Sequence, residues 1–373
     1  MVPNKTLVYK QVPKGLPVPG KDLVVETRDM DLEEPPKGGL IVEILYASLD
    51  PYLRPKMRDP SIESYSPAFV PNNPIENDTV GRVLKSDSPD FKPGDIVKAH
   101  APIAEYAALA DVKGLVKVHN PHNLDLSLFT GALGMPGLTA WSSLHRIGKP
   151  KRGETIFVSS AAGAVGQLVG QLVGQIAKKE GLKVIGSVGS DEKLDFITEQ
   201  LGFDAGFNYK KERPGDALKR LAPDGIDIYY ENVGGEHLEA ALDSLNDFGR
   251  VVACGMVGFL PAPWAAPWAL GGQRLNDAHV QISQYNIEGQ AYGVRNLMLV
   301  VTKQLTVQGF IVTNPDFGPA YYQEHQEKLQ QWLADGSVQA KMSYTEGIDH
   351  AAEGLVGIFE GKNFGKAVLR IKA

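Results

Sequence analysis

The segment that most constrains the fold runs from residue 155 to residue 180, where three patterns follow one another. An apolar run, TIFVSS (155–160), is typical of a buried strand, and a loop of small residues, SAAGAVG (160–166), comes after it. Apolar side chains then recur three and four residues apart, which predicts a helix over 163–180. Because a helix N-terminus presents unpaired N–H groups and a partial positive charge, this segment favours binding of a phosphate.

The loop differs in one position from the dinucleotide fingerprint Gly-x-Gly-x-x-Gly. Its frame is Ala161-x-Gly163-x-x-Gly166, so alanine replaces the first glycine. Gly163 would let the backbone approach a pyrophosphate, whereas Gly166, Gly170 and Gly174 would let the helix pack closely on a sheet. A packing motif without a ligand is the alternative. The strand before the loop, the helix after it and the strand that comes next favour a nucleotide site.

The next strand, KVIGSVG (183–189), distinguishes between the two nicotinamide cofactors. An NAD site usually carries Asp or Glu at the end of this strand, where the carboxylate binds the ribose 2′-hydroxyl. Here the strand ends in Gly189 and Ser190 without an acid, and Lys193 follows. A charged hydrogen bond from lysine to a 2′-phosphate is worth roughly 1.5–3 kcal/mol. The sequence therefore predicts NADP(H), although Lys193 could also be a solvated lysine on a helix face.

Two kinds of pattern divide the chain of 373 residues. Residues 1–130 contain short apolar runs between turn signals and no helical period over a long window. After residue 131, apolar strands alternate with helical patterns, which is typical of a parallel sheet with right-handed crossovers. We therefore predict an α/β fold, with a doubly wound Rossmann sheet and a second, β-rich domain. The closing strand KNFGKAVLRIKA (362–373) is expected to return to that second domain.

Composition excludes several kinds of site and partner. The only cysteine, Cys254, can neither form an intrachain disulfide nor complete a cysteine-rich zinc site, and the eight histidines are scattered, so we predict no metal. The net charge of −6 and the absence of a basic run argue against nucleic acid. The longest apolar stretch, 258–272, is short and contains three prolines, which argues against a membrane span. Because the first residues lack the apolar core of a signal peptide, we predict a cytoplasmic protein.

Motifs spread along the chain resemble those of a known family. In chain order they are SLDPYLRPKM (48–57), GMPGLTAW (134–141), GSDEK (189–193), GFNYK (206–210), YYENVGG (229–235), ISQYN (282–286) and GKNFGK (361–366). Together they resemble the zinc-independent medium-chain dehydrogenase/reductases. Within these, the chain is similar to the prostaglandin reductases, which include the leukotriene 12-hydroxydehydrogenases, and to the plant alkenal double-bond reductases. The resemblance covers nearly the whole chain.

The resemblance implies a domain organisation, an activity and a set of cofactor-binding residues. A GroES-like domain would comprise residues 1–133 and 318–373, and a Rossmann domain that binds NADP(H) would comprise residues 134–317. The activity would be NADPH-dependent reduction of the carbon–carbon double bond of α,β-unsaturated ketones and aldehydes, carried out by a homodimer. The expected cofactor-binding residues are Met135, Pro136, Ala162, Gly163, Val165, Gly166, Gly189, Ser190, Lys193, Tyr209, Asn232, Cys254, Gly255 and Asn363.

The matching motifs also imply what individual residues of this set do. Lys193 and Tyr209 would contact the adenosine 2′-phosphate. Asn232 and Asn363 would contact the cofactor nearer its nicotinamide and diphosphate, and residues 135–136 would border the nicotinamide. The thiol of Cys254 lies in an apolar run and is expected to be inert even though its backbone borders the cofactor.

Two tyrosines are the candidate catalytic residues. Hydride addition to the β-carbon of an enone places negative charge on the carbonyl oxygen, and a hydrogen-bond donor aimed at that oxygen stabilises it. A tyrosine hydroxyl, whose unperturbed pKa is about 10, is suited to this task. Tyr285 is the first candidate, as enolate stabiliser and proton source, and Tyr52 is the second, as a wall of the substrate pocket. Either ring could instead be a core aromatic whose hydroxyl is satisfied elsewhere.

Two alternative functions and one unusual segment stay open at this point. A quinone reductase would share the fold, and a non-catalytic NADPH-binding protein would share the cofactor site. The segment 257–281, which contains Trp264 and Trp268, interrupts the resemblance before the motif ISQYN. It is either a lid over the substrate or an ordered loop at the surface or at a dimer contact. Because the pocket residues are apolar and aromatic, the expected partner is an apolar enone or enal.

Overall fold

A computed structural model describes residues 1–162, 167–255 and 293–372. The chain divides into two compact units. Unit 1 comprises Met1–Thr139 and Ala320–Ala373, and unit 2 comprises Ala140–Pro319. None of the helices within the described ranges combines the length and the apolar composition that a membrane crossing requires.

Strands and helices are numbered in chain order over the described residues. The strands are β1 (Val2–Tyr9), β2 (Leu23–Met30), β3 (Leu40–Ser48), β4 (Glu76–Ser86), β5 (Ile96–Pro102), β6 (Tyr106–Leu109), β7 (Val116–Lys117), β8 (Thr155–Val158), β9 (Lys183–Val188), β10 (Ala205–Asn208), β11 (Ile226–Glu231), β12 (Leu245–Ala253), β13 (Thr306–Gly309), β14 (Met342–Glu346) and β15 (Lys366–Arg370). The helices are α1 (Leu53–Lys56), α2 (Met135–Ser143), α3 (Gln167–Lys179), α4 (Asp191–Asp195), α5 (Pro214–Leu221), α6 (Gly235–Ser244), α7 (Leu299–Thr302), α8 (Gly318–Ala334) and α9 (Ala351–Phe359).

Unit 1 is built on a mostly antiparallel sheet with the strand order β14-β15-β3-β4-β5-β7, and β6 pairs with β3. Apolar residues of β3, β4 and β5 form the core of this sheet, because alternate side chains on one face point away from solvent. The closing strand β15 lies between β14 and β3, with Val368 opposite Ser48. The last strand of the chain thus pairs within the same sheet as the N-terminal strand β3.

Unit 2 contains a parallel sheet with the strand order β10-β9-β8-β11-β12-β13. This order is the one expected of a doubly wound nucleotide-binding fold, in which the third, second and first strands precede the fourth, fifth and sixth. The direction of winding reverses between β8 and β11, which pair in parallel through residues such as Val158 and Tyr230. Ligands of such sheets bind outside the carboxyl ends of the strands at this reversal point. The predicted fold class is confirmed for both domains.

Helix α3 approaches its neighbours through glycines, as the small-residue pattern predicted. A Cβ atom at Gly174 would lie 1.9 Å from Cζ of Phe203, and one at Gly170 would lie 3.0 Å from the Cα of Ala161. A side chain at either position would therefore displace its neighbour. Close packing at Gly170 brings the helix against the segment that follows β8, and close packing at Gly174 brings it against the Phe203 ring.

Helix α4 begins after Ser190, which caps its N-terminus. The Ser190 hydroxyl accepts a hydrogen bond from the backbone N–H of Lys193 at 3.3 Å, which satisfies one of the unpaired N–H groups of the first turn. The helix continues into a π-helical turn, Phe196–Gln200. Gly202 follows with a φ of +72°, a conformation that glycine adopts without strain.

Candidate active site

The carboxyl ends of β8 and β11 are tied together by Asn232, the residue that follows β11. Its Nδ2 donates to the carbonyl oxygen of Ser159 at 2.8 Å, and its backbone N–H donates to the Ser159 hydroxyl at 2.9 Å. Both side chains are buried. These bonds fix the position of Asn232 at the point where winding reverses, which is the expected place for a nucleotide.

Glu231, at the end of β11, organises the neighbouring loop. Its Oε1 accepts hydrogen bonds from the backbone N–H groups of Val233 and Gly234 at 2.5 and 2.7 Å. Burial raises the pKa of this carboxyl, and the two N–H groups oppose that shift. The carbonyl oxygen of Glu231 also accepts from the N–H groups of Cys254 and Gly255 at 3.0 and 2.8 Å. The predicted backbone positions at Cys254 and Gly255 therefore border the same strand ends as Asn232.

Four of the predicted cofactor residues meet at the carboxyl ends of β9 and β10. Gly189 and Ser190 follow β9, Lys193 lies in the first turn of α4, and Tyr209 follows β10. The backbone N–H of Tyr209 donates to the carbonyl oxygen of Val188 at 3.0 Å. A Cβ atom at Gly189 would lie 2.9 Å from the Tyr209 hydroxyl oxygen. The glycine therefore allows the phenol ring to lie against the strand end.

Positive charge gathers at this corner, and the carboxylate of Asp191 is neutralised by its own partners. Burial lowers the pKa of Lys193, the neighbouring positive charge of Lys210 lowers it further, and the negative charge of Glu192 opposes part of this shift. The carboxylate of Asp191 accepts a hydrogen bond from Asn208 Nδ2 at 2.9 Å and forms an ion pair with Lys211. These contacts lower the pKa of Asp191 and turn its charge towards β10. Lys210 lies close enough to lower the pKa of Lys193, and two such neighbouring cations create a potential that favours an anion.

A buried histidine supports the ring of Tyr209. His237, in the first turn of α6, contacts that ring edge to face, with centroids 5.4 Å apart. The rings of Phe157 and Phe207 lie roughly parallel to the imidazole, each with its centroid 6.4 Å from the imidazole centroid. Burial lowers the pKa of His237 to about 4, so the imidazole is neutral near pH 7 and acts as an aromatic packing group.

In unit 1, the hydroxyl of Tyr52 lies at the end of a buried polar network. Tyr52 precedes α1 and donates a hydrogen bond to Asn77 Oδ1. Asn77 Nδ2 donates to the carbonyl oxygen of Ser48 at 2.6 Å and to Asp50 Oδ2 at 2.9 Å. Asp50 Oδ1 in turn pairs with Lys366 Nζ at 3.1 Å. Burial, with a further contribution from the Asp50 charge, raises the pKa of Tyr52 far above its usual value, so its phenol stays neutral.

Residues 135–136 are the first two of α2. The loop that precedes them is held by side chains from β5 and α8. Lys98 Nζ and Gln326 Nε2 donate to the carbonyl oxygen of Leu133 at 3.2 and 3.0 Å. His325 Nε2 donates to the carbonyl oxygen of Ala132 at 2.9 Å. These three bonds fix the backbone that leads into Met135 and Pro136.

The protonation state of His325 follows from its partners. A carbonyl oxygen can only accept, so the imidazole proton lies on Nε2, and Nδ1 accepts from Gln326 Nε2 at 3.1 Å. The side chain is fully buried, and burial lowers its pKa to about 3. Gly137, in the first turn of α2, lies close against this loop, since a Cβ atom there would lie 1.6 Å from the Ala132 carbonyl oxygen.

Comparison with known proteins is consistent with this geometry. Residues 5–118 match the family model for the N-terminal domain of oxidoreductase, and residues 169–275 match that for zinc-binding dehydrogenase. The NADP-dependent oxidoreductase RED1 of Cochliobolus heterostrophus is 48% identical over 375 residues, which cover 100% of this chain and 98% of the relative. The chain belongs to the zinc-independent medium-chain dehydrogenase/reductases.

Two further relatives of this medium-chain dehydrogenase/reductase carry more specific names. The NADP(+)-dependent 2-alkenal reductase of Nicotiana tabacum is 39% identical, with 99% of this chain and 98% of the relative covered. The crystal structure of CurA from Vibrio vulnificus in complex with NADPH is 31% identical, with a TM-score of 0.83 and 99% of each chain covered. Within residues 1–162, 167–255 and 293–372, no three His, Cys, Asp or Glu side chains are grouped so as to hold a metal ion.

Several predicted residues of this medium-chain dehydrogenase/reductase lie outside the described residues. They are Gly163, Val165, Gly166 and Tyr285, together with the segment 257–281. Ala162, which precedes the first of them, is buried. Asn363, on the segment that leads to β15, donates from Nδ2 to the carbonyl oxygen of Gly365 at 3.1 Å.

Sequence reasoning missed three residues of these sites. Lys210 is the last letter of the motif GFNYK and was quoted there without a role. Glu231 likewise lies inside the motif YYENVGG. Asn77 had no sequence signal, because nothing in its neighbours indicates that its amide meets Tyr52 across the unit 1 sheet.

Proposed function

We propose that this enzyme reduces the carbon–carbon double bond of apolar α,β-unsaturated ketones and aldehydes, with NADPH as the source of a hydride for the β-carbon. The cofactor part of the proposal is carried by one observation: Lys193, Lys210 and Tyr209 meet at the end of β9, beside an acid that Lys211 neutralises. This donor set fits a 2′-phosphate and opposes the carboxylate-to-ribose contact of NAD sites. The identity to a 2-alkenal reductase supports the substrate part.

The residues that would hold the cofactor divide by unit. In unit 2, Lys193, Tyr209 and Lys210 would bind the 2′-phosphate, and Asn232 would bind nearer the nicotinamide. The remaining predicted contacts of that unit are Ala162, Gly163, Val165, Gly166, Gly189, Ser190, Cys254 and Gly255. Asn363 and the pair 135–136 belong to unit 1 and are the other predicted cofactor contacts. The close approach of Tyr209 to Gly189 supports this assignment, because a side chain at Gly189 would displace the phenol.

The substrate would be activated by tyrosine. We propose Tyr285 as the donor that stabilises the enolate oxygen and supplies its proton, and Tyr52 as a wall of the substrate pocket. The GroES-like domain, residues 1–133 and 318–373, would carry the substrate pocket, and residues 134–317 would carry the cofactor. Its neutral phenol and fixed hydrogen bond support a binding role for Tyr52.

The first experiment follows NADPH absorbance with a panel of medium-chain enones and enals. We expect rapid oxidation of NADPH, weak use of NADH and a slower Tyr285→Phe variant, since removal of one donor to an enolate typically costs about 10²–10³ in rate. Tight NADPH binding without turnover of any enone would contradict the proposed activity. The same assay with quinones then separates a quinone reductase from a non-catalytic NADPH-binding protein.

The resemblance also implies a cytoplasmic homodimer, which we include in the proposal. Among the described strands, β13 pairs with β12 alone and exposes all four of its residues. The nearby side chains of Met298 and Val301 are each 70% exposed. An exposed sheet edge flanked by apolar side chains is suited to a second copy of the chain. Analytical ultracentrifugation tests this, and a monomer at micromolar concentration would contradict it.

A further inference from the structure

In the polar network of unit 1, the donor and acceptor of each hydrogen bond are fixed, and the chain of bonds starts at Lys366. The ammonium group of Lys366 donates to Asp50 Oδ1 at 3.1 Å and to the carbonyl oxygens of Leu49 and Ala367, both at 2.8 Å. All three of its protons are therefore engaged, and Asp50 faces a buried positive charge. The Asp50 carboxylate can only accept, and it does so from Lys366, from the Ser48 hydroxyl and from Asn77.

The acceptors around Asn77 determine the orientation of its amide. Nδ2 lies 2.6 Å from the carbonyl oxygen of Ser48 and 2.9 Å from Asp50 Oδ2, and neither of these oxygens carries a proton. A flipped amide would place Oδ1 against both acceptors and lose two hydrogen bonds inside a fully buried site. Oδ1 therefore faces Tyr52, and an amide oxygen can only accept.

The hydroxyl of Tyr52 can consequently only accept a hydrogen bond from a ligand. A neutral phenol has one proton to donate and lone pairs to accept with. Its proton is engaged by Asn77 Oδ1, so only the lone pairs remain for a ligand. Asn77 is fully buried, whereas Tyr52 is only partly buried. Asn77 thus acts on a ligand through Tyr52 and not by contact.

We propose that Asn77 is a positioning residue that fixes the Tyr52 hydroxyl as a hydrogen-bond acceptor, so that the enzyme prefers enones that carry a hydroxyl group over those that do not. The inference rests on the proposed enone reduction and on the place of Tyr52 in the substrate pocket. It also separates the two tyrosines. Tyr52 orients a donor group of the substrate and does not supply the enolate proton.

The test compares ligands that differ by one hydroxyl group. Non-3-en-2-one and its monohydroxylated analogues, with the hydroxyl moved along the alkyl chain, are titrated by calorimetry into the NADP⁺-loaded wild type. NADP⁺ permits binding without turnover. We expect one or two analogues to bind roughly 3- to 10-fold more tightly than the parent enone, the range that one hydrogen bond contributes. Tyr52→Phe removes the acceptor and should abolish this preference.

Asn77→Ala is the decisive variant, and Thr79→Val is its matched control. Thr79 is buried on the same strand, and its hydroxyl donates to the carbonyl oxygen of Ala99 at 3.0 Å, outside the network. Asn77→Ala frees the Tyr52 proton, so the preference should fall at least about 3-fold, whereas Thr79→Val should keep it. In the Tyr52→Phe background, Asn77→Ala should change nothing further. The same binding ratios for Asn77→Ala and wild type would overturn the proposal.

The outcomes distinguish this inference from the proposed function. Equal binding of the parent and all its analogues, with normal turnover of enones, would overturn the inference and leave the proposed function intact. A hydroxyl preference that depends on Asn77, without NADPH oxidation, would uphold the inference and overturn the proposed activity. No binding of any of these ligands would overturn both. Should Asn77→Ala fail to fold, Asn77→Ser keeps a small polar side chain and is read in the same way.

Discussion

Lys193 and Lys210 meet at one corner of unit 2 from different elements, and a negative ligand between them would relieve their repulsion. Burial and the Lys210 charge lower the pKa of Lys193, so the protonated form of Lys193 is less favourable in the unliganded protein than in water. The negative charge of a 2′-phosphate would offset both effects, because it favours the protonated amine. Discrimination between NADPH and NADH would thus reside in a pair of charges and not in a single lysine.

Lys193→Ala is expected to weaken NADPH binding about 10-fold or more and to leave NADH binding nearly unchanged. Lys210→Ala should have a smaller effect in the same direction, because its side chain is more exposed. Lys178→Ala is the control, since Lys178 lies on α3 and its ammonium group pairs with the carboxylate of Asp204 at 2.7 Å. Fluorescence titration of both cofactors measures the effects. Equal loss of NADPH and NADH affinity in Lys193→Ala would contradict the assignment.

NADPH affinity should also depend on pH through Lys193. Only the protonated amine attracts the 2′-phosphate, so affinity should fall as pH rises through the lowered pKa of Lys193. Affinity for NADH, which lacks this phosphate, should change little over the same range. In Lys193→Arg the charge persists at high pH, and the alkaline loss should shift upwards. A parallel decline for both cofactors would indicate a different titrating group.

At the scale of the elements, helix α3 packs closely against its neighbours at the positions where glycine faces them. Phe203 is buried, with 3% of its surface exposed, so its ring has little room to withdraw from a new side chain at Gly174. Gly215, in the first turn of α5, is a useful contrast because a Cβ there would meet only Ala240, at 4.0 Å. The two glycines share a helical setting and differ in what surrounds them.

Gly174→Ala should destabilise the protein by about 1–3 kcal/mol, because overpacking outweighs the gain of about 1 kcal/mol in helix propensity. Gly215→Ala should be neutral or stabilise by up to about 1 kcal/mol. Thermal unfolding of the two variants beside the wild type measures both effects. If Gly174→Ala were as stable as Gly215→Ala, the close contact with Phe203 would not limit packing at this helix.

The local elements were predictable from the sequence because their causes are local. The N-cap at Ser190, the strands around the loop 160–166 and the glycines of α3 all follow from neighbouring residues. The Tyr52 network was not predictable in this way. Lys366 donates to a carbonyl oxygen 317 positions away, and the amide of Asn77 meets Tyr52 across the fold. Only the paired sheet strands bring such residues together, and no spacing along the chain encodes their meeting.

At the scale of the whole molecule, the neutral state of His325 links stability to pH. Its pKa is about 3 in the folded protein, against about 6.5 in an unfolded chain. The unfolded state therefore binds more protons between these values. The contribution to stability is complete above about pH 6.5 and is lost as pH falls towards 3, by an amount on the order of a few kcal/mol.

His325→Gln is expected to flatten this acid dependence. Glutamine can donate to the Ala132 carbonyl oxygen but does not titrate. The melting temperature of the variant should therefore fall less between pH 7 and pH 4.5 than that of the wild type. At pH 8 the two proteins should differ only by the lost packing of the ring. Curves that decline in parallel below pH 6.5 would show that His325 does not contribute. His237, whose pKa of about 4 acts in the same direction, would account for part of the remaining slope.

The position of β15 has a consequence for how the protein is made. During synthesis, residues 140–319 leave the ribosome before residues 366–370 exist, so the parallel sheet can form while the other sheet still lacks an inner strand. Until then, the part of β3 that pairs with β15, residues 46–48, lacks its partner strand. Lys366 belongs to that last strand, and its ammonium group is the partner of the Asp50 carboxylate. The polarity of the Tyr52 hydroxyl is therefore set only once this last strand has joined the sheet.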